Sequence, residues 1–499
     1  MPESPPISSF LFYGCWNRVN CEDKNQPYNY RDIVLDVIAK KEKHINDFYI
    51  AGDNWYPNMM TTHRDSTKSL QETIEYYFTN VLKSGYAKIY DLQKETYIVL
   101  GNHDEVSNYK DGAAHILKKC MLNTQLYYMK HISDKIIKTP TLELLDAYYN
   151  SQIQMPLKRY NSLSLVKAPR VKSITKPTSQ KSLSKTQTPE IMLYDDINSI
   201  IKRKYIMIFI NTNRIHNKGY LEKLRRHINI YNKTTKPKFV MGHVPMFYFR
   251  EKQTTQYFRQ MKIEDDTISE AAKNICIQTL YDILAEHNCI YLCADTHAFE
   301  IMNISQKDTD KSLVQIVCGT GGAEPDIVKT DNTWFNNYNE AMASAVSAVS
   351  AVSAASAVSA ASAVSAASAV SAVSAASHDF LYQYSIRGNC VNSYGYSVIN
   401  VINPNKIKVT YKKIIAPNSN EDIKTYNTFT YVIERIDTKW IYNTQELVSE
   451  PKVHTHHMQL EEYKKDAICN NITDHNLVVS SKNPSMKCFE KKKKKKTDN

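Results

Sequence analysis

The sequence predicts a layered α/β fold, and three observations predict it. Short apolar runs alternate with stretches of helical periodicity along much of the chain. Four short motifs, Gly52 to Tyr56 (GDNWY), Gly101 to Asp104 (GNHD), Gly242 to Pro245 (GHVP) and Ala294 to His297 (ADTH), each end one of those apolar runs. Polar residues carried on the ends of successive strands converge on one edge of a sheet, where such folds place their chemistry.

The elements follow in order. Tyr30 to Asn46 has helical periodicity, and Phe48 to Ala51 is a short strand that delivers Asp53. Thr96 to Leu100 delivers Asn102 and His103; Lys204 to Ile210 reads as a further buried strand; Phe239 to Met241 delivers His243. Ile268 to Glu286 reads as a helix, and Ile290 to Cys293 delivers Asp295 and His297. Leu313 to Val317 runs into Gly319-Thr320-Gly321-Gly322, expected as a tight turn lining the site, since no P-loop Lys follows. Tyr394 to Ile402 and Ile407 to Ile414 read as the closing strands.

Composition narrows the function classes. The chain of 499 residues carries a net charge of +12. Residues 157–190 hold eight Lys or Arg against one Glu, and Lys491 to Lys496 add six more, so the rest of the chain is close to neutral. A nucleic-acid enzyme spreads basic charge around its site, so this distribution gives no strong nucleic-acid signal. The ten Cys show no C-x-x-C pair, and Met1 to Ser9 lacks the charged start and apolar run of a secretory signal. Reduced thiols in a cytoplasmic setting are expected, with no transmembrane segment.

Residues 157–190, rich in Lys, Ser, Thr and Pro, are expected to form a disordered insertion, and residues 341–377 a low-complexity insertion of Ser-Ala-Val and Ser-Ala-Ala triplets. A period of three matches neither the 3.6 of a helix nor the 2 of a strand, so the triplets build no single apolar face. Residues 416–499 are read as a C-terminal extension with a solvated poly-Lys end, and His454-Thr455-His456-His457 within it as an exposed polar tract.

Asp, Asn, His and Tyr at strand ends are the hard oxygen and imidazole donors that a two-metal hydrolase needs. In order and wording the motifs resemble those of the calcineurin-like metallophosphoesterases, and within them the purple (tartrate-resistant) acid phosphatase branch, marked by a Tyr three residues after the Asp of the second motif, here Asp53 and Tyr56. The resemblance spans residues 8–402 and implies a four-layer αββα sandwich interrupted by the two insertions. It departs from the family at both ends. The opening motif, usually Gly-Asp-Trp-Gly, reads Gly14-Cys15-Trp16-Asn17, and the closing motif, usually Gly-His-x-His, reads Ala294-Asp295-Thr296-His297.

Carried over position by position, the resemblance implies two metal ions of the Fe, Zn or Mn class. One faces Cys15, Asp53, Tyr56 and His297; the other faces Asp53, Asn102, His243 and Asp295, with Asp53 bridging. It further implies that water activated between the ions attacks a phosphomonoester in line, that His103 assists at the phosphate and leaving oxygen, and that Asp104 orients His103. Two readings stay open at three positions. Cys15 is a soft ligand or an inert packing residue, Asp295 a ligand or a side chain too short to reach, and Tyr56 a phenolate ligand or a packing ring. The expected function is a metal-dependent phosphatase. Its alternative is a catalytically silent acid-phosphatase-like fold that binds protein partners.

Overall fold

The computed structural model describes residues 8–18, 28–56, 78–104, 191–252, 255–261, 263, 268–306, 309–326, 382–390, 393–414, 423–437, 439–442 and 452–457. The basic insertion 157–190, the triplet insertion 341–377 and the poly-Lys end lie outside the described residues.

Two mixed sheets face each other. In the first, β1 (Ser8–Tyr13), β2 (Asp47–Ile50), β3 (Glu95–Val99) and β4 (Ile191–Tyr194) run parallel side by side. In the second, β6 (Ile206–Phe209), β7 (Lys238–Met241), β10 (Cys289–Cys293) and β12 (Ser312–Cys318) form the parallel centre. It is flanked by antiparallel β5 (Asn198–Ile201) on one side and by β11 (Phe299–Gln306) and β13 (Tyr382–Cys390) on the other. A separate hairpin joins β8 (Phe247–Lys252) to β9 (Thr255–Gln260).

The central strands β6, β7 and β10 are buried at every position, as strands covered on both faces must be. Between the sheets, Phe10 of β1 packs edge-on against Phe239 of β7 at 5.3 Å between centroids, and against Tyr205 at 4.9 Å. On the outer face of the second sheet, Ile206, Ile208 and Tyr291 pack with Leu224 of α3 (Tyr220–Asn229) and Leu280 of α4 (Glu270–Glu286). On the outer face of the first, Tyr13 meets Phe48 and Trp16, and Trp16 meets Tyr86 of α2 (Ser84–Asp91); α1 (Tyr30–Lys41) lies against α2 and the sheet. Helices therefore cover both outer faces, giving the α/β/β/α sandwich.

Most expected strands lie where the sequence places them, within a residue or two. The first helix is shorter than expected and ends at Lys41. Its continuation is captured by tertiary bonds: the Glu42 carboxylate takes bonds from Tyr396 Oη and Lys412 Nζ, and Lys94 Nζ reaches the carbonyls of Glu42 and Ile45. The Ile268 to Glu286 helix begins at Glu270, where Ser269 Oγ accepts from Ala272 N.

The first sheet also continues past the expected closing strands. β14 (Tyr394–Asn403) pairs antiparallel with β1, and β15 (Lys406–Ile414), β16 (Ile423–Ile436), β17 (Lys439–Tyr442) and β18 (Lys452–His457) extend that edge. Backbone 454–457 is thus strand paired to β16, with positions 454 and 456 on one face and 455 and 457 on the other. Trp440 of β17 is buried and donates through Nε1 to Asn288 O, just before β10 of the other sheet. No helix among the described residues is long and apolar enough to cross a membrane.

Candidate metal centre

Every motif lies at the carboxyl end of a parallel strand. β1 delivers Cys15, β2 delivers Asp53, and β3 delivers Asn102 to Asp104; across the sandwich β7 delivers His243 and β10 delivers Asp295 and His297. The chain leaves these strands through sharp corners. Cys15 (φ 51°), Asp53 (φ 54°) and Asp295 (φ 53°) adopt the left-handed conformation that L-residues avoid. Gly52 (φ 84°) precedes one of them, and a Cβ there would fall 2.6 Å from Gly101 N and 2.7 Å from His243 Nδ1. The close approach of three loops therefore requires glycine at that point.

Asp53 is the centre. It is almost fully buried, its Oδ1 lies 3.1 Å from His243 Nε2, and its Oδ2 lies 3.7 Å from Cys15 Sγ. His103 N donates to Asp53 Oδ1 at 3.2 Å. Around His243 Nε2 also stand Asn102 Oδ1 at 3.0 Å and Asp295 Oδ1 at 3.6 Å. Both histidines of the second sheet are oriented alike. His243 Nδ1 bonds Ala51 O at 2.6 Å and His297 Nδ1 bonds Glu324 O. A carbonyl only accepts, so Nδ1 carries the proton in each ring and Nε2 is the nitrogen left to bind, the orientation typical of metal-ligating histidine.

The remaining residues complete the wall. Tyr56 is buried, with its ring 4.8 Å from His103 and 6.4 Å from His297 between centroids. Its hydroxyl lies beside the Cys15 thiol and, among the described residues, makes no hydrogen bond of ordinary geometry. Asp326 Oδ2 accepts from His297 N at 3.0 Å.

Electrostatics at the centre follow from burial and from the charged groups packed there. Burial alone would raise Asp53, but His243, His103 and His297 outweigh it and hold its carboxyl well below the usual range. Burial would lower His243, and Asp53 and Asp295 reverse this and raise it. Burial, then Asp53 and Asp295, push the Cys15 thiol up, and burial, then Asp53 and Cys15, do the same to Tyr56. His297 is lowered, by burial above all.

The structure thus brings Cys15, Asp53, Asn102, His103, Asp295 and His243 around one point, with Tyr56 and His297 beside them. Among the described residues, Cys15, Asp53 and His243 form one group whose ligand atoms all lie within 4.8 Å of one another. The donor set fits metal binding: carboxylate, imidazole, amide carbonyl, thiol and phenol lie together.

Asp104 has a bracing position. Its carboxylate accepts from Gly101 N at 2.8 Å and from Asn54 N and Nδ2 at 3.0 Å each, tying the β2 and β3 loops together. Asn54 is the residue that motif reading missed. Besides Asp104, it donates to Val99 O, accepts from Trp16 Nε1 at 3.0 Å, and takes a bond from Asn17 Nδ2 on its carbonyl. Arg31 in turn donates to Asn17 Oδ1 at 2.8 Å. The motif strings contained Trp16, Asn17 and Asn54, but only their distant partners give them a role. The glycine turn packs on the opening motif, with Gly321 N bonding Gly14 O and Ala323 N bonding Cys15 O.

The fold is the α/β/β/α sandwich that the sequence predicts. No family model and no curated protein matches the chain. Among the solved structures similar to it are the following two. One is the purple acid phosphatase PPD1 from yellow lupin (Lupinus luteus) seeds, at 8% identity and a TM-score of 0.40, covering 83% of this chain and 52% of that one. The chain therefore spans about half the length of the lupin protein. The other is GAP50, described as the anchor in the inner membrane complex of Plasmodium, at 9% identity and a TM-score of 0.33, covering 94% of each chain. The fold stands on its own strand order and on the placement of the motifs.

Proposed function

We propose that the chain is a metal-dependent phosphatase acting on phosphomonoesters. The observation that carries this reading is the pair of histidines, His243 and His297, each fixed through Nδ1 to a backbone carbonyl at a strand end beside the buried Asp53. Two cations would be held, one by Cys15, Asp53, Tyr56 and His297 and one by Asp53, Asn102, His243 and Asp295. Bound there, they would polarise the phosphate and lower the pKa of a water between them. Asp53 offers one oxygen to each side, Oδ1 toward His243 and Oδ2 toward Cys15. His103 is fixed by its own N–H to Asp53 and by its ring against Tyr56, and its side chain would give a proton to the departing alcohol oxygen. Asp104 acts through the backbone, holding the Asn102 and His103 loop against β2.

The test is hydrolysis of p-nitrophenyl phosphate by metal-stripped protein after addition of Fe, Zn, Mn or Mg, beside an Asp53→Asn control. Metal-dependent turnover that Asp53→Asn abolishes is expected. Turnover no higher than the control with every metal would sink the reading for simple monoesters.

One observation favours a second reading, a silent fold used as a protein-binding platform. His243 Nδ1 and Nε2 both face oxygen acceptors, so a protonated His243 paired with Asp53 closes the polar network without a cation. Stable folding of metal-stripped protein, with no turnover and no metal uptake, is the outcome expected of that alternative.

A further inference from the structure

We propose that Cys15 is a metal-ligating thiolate, and that at the cation position it shares with Asp53 it selects a divalent cation of the zinc class over ferric iron. The inference rests on the reading of this pocket as a metal site and goes on to say which ion it takes.

Geometry is the first argument. A tetrahedral zinc ion with bonds of about 2.3 Å to sulfur and about 2.0–2.2 Å to nitrogen and oxygen sets neighbouring donors roughly 3.3–3.6 Å apart. Cys15 Sγ lies 3.7 Å from Asp53 Oδ2, and His243 Nε2 lies 3.1 Å from Asp53 Oδ1. Cys15 Sγ and Asp53 Oδ2 thus already stand near coordination spacing, with His243 on the other oxygen of the shared carboxylate. All three side chains are buried, and His243 has its other ring nitrogen committed to Ala51 O.

The backbone gives an independent argument. Six non-glycine residues among the described ones have positive φ. Gln93 follows α2, Asn288 lies between α4 and β10, and Asp437 lies between β16 and β17, all ordinary turn positions. The other three are Cys15, Asp53 and Asp295, each at a strand end facing the same point. Such a conformation is strained for an L-residue and persists where surrounding structure enforces it. Here the enforcement is visible: Cys15 N donates to Gly52 O at 3.1 Å and Cys15 O accepts from Ala323 N at 2.8 Å. At this held corner the Cys15 sulfur lies against Asp53 Oδ2.

Donor chemistry then names the ion. Thiolate sulfur is soft and favours zinc-class or ferrous ions, whereas a ferric site prefers oxygen at that place. On binding, the thiol proton passes to solvent and the sulfur lone pair enters the metal bond.

Cobalt(II) chloride titrated into metal-stripped full-length protein tests this, because a thiolate ligand gives cobalt a sulfur-to-metal charge-transfer band in the near ultraviolet. The wild-type chain should show the band, and Zn(II) should bleach it. Cys15→Ser should lose the band and hold cobalt about tenfold more weakly or worse. Cys15→Asp, a second variant that keeps an anionic donor, should retain cobalt without the band and gain affinity for Fe(III). A wild-type cobalt complex without the band would overturn the proposal, as would a Cys15→Ser complex with wild-type spectrum and affinity. The band without turnover of p-nitrophenyl phosphate would remove the phosphatase reading and leave Cys15 a ligand; turnover without the band would do the reverse.

Discussion

Gly101 sets how closely the β3 loop can approach Asp53. A Cβ at that position would strike both the backbone nitrogen and Oδ1 of Asp53 and would lie 2.9 Å from His243 Cε1. The contact atoms belong to buried groups, so neither can give way without moving the centre of the site. Gly101→Ala is therefore expected to leave the fold intact but displace Asp53, with a loss of about a hundredfold in metal-dependent hydrolysis, the scale of an ångström's misplacement. Steady-state rates together with a thermal melt check it. The motif residues themselves were legible in the sequence, because each sits within a few positions of the strand that presents it. The bracing residues were not. Asn54, Asn17 and Arg31 act through partners that only folding brings near, as when Arg31 reaches Asn17 and Asn54 reaches Asp104.

At the scale of elements, β11 carries a buried acid that the site does not use. Glu300 is 1% exposed, its Oε2 has no hydrogen-bond partner among the described residues, and burial, aided by Asp326, raises its pKa to about 8. Between its ordinary value of 4.5 and about 8, the folded chain holds a proton that the unfolded chain has released. Stability contributed by that proton is fully present below the lower value and is lost as pH rises through the upper one. The contribution falls by at most about 1.4 kcal/mol per pH unit in that window. Glu300→Gln, which cannot ionise, is expected to flatten this dependence, and denaturant melts at several pH values measure it. The strands delivering the site were legible as apolar runs, whereas β16 was not. Between Lys424 and Tyr431 it is mostly Thr, Tyr, Asn and Phe, so its two faces lack the contrast that marks a half-buried strand.

Across the whole molecule, the two sheets are fastened at opposite ends by different means. At the end away from the site, Lys202 beside β5 donates to Asp47 Oδ1, Glu95 Oε2 and Tyr97 Oη at the starts of β2 and β3, and Tyr205 Oη donates to Asp47 Oδ2. At the site end, the donors divide between layers: Cys15, Asp53 and Asn102 come from the first sheet, His243, Asp295 and His297 from the second. An ion gripped by both sets is a cross-link, a rivet through the sandwich. Mass action then ties thermal stability to free metal: at a hundred times its dissociation constant, the ion would add about 2.7 kcal/mol to unfolding. Differential scanning calorimetry of stripped protein across a zinc series should show the midpoint climbing with concentration, and a flat series would mean the layers are held together without it. The same spot that would do the chemistry would thus also report, as a melting temperature, how much metal surrounds the protein.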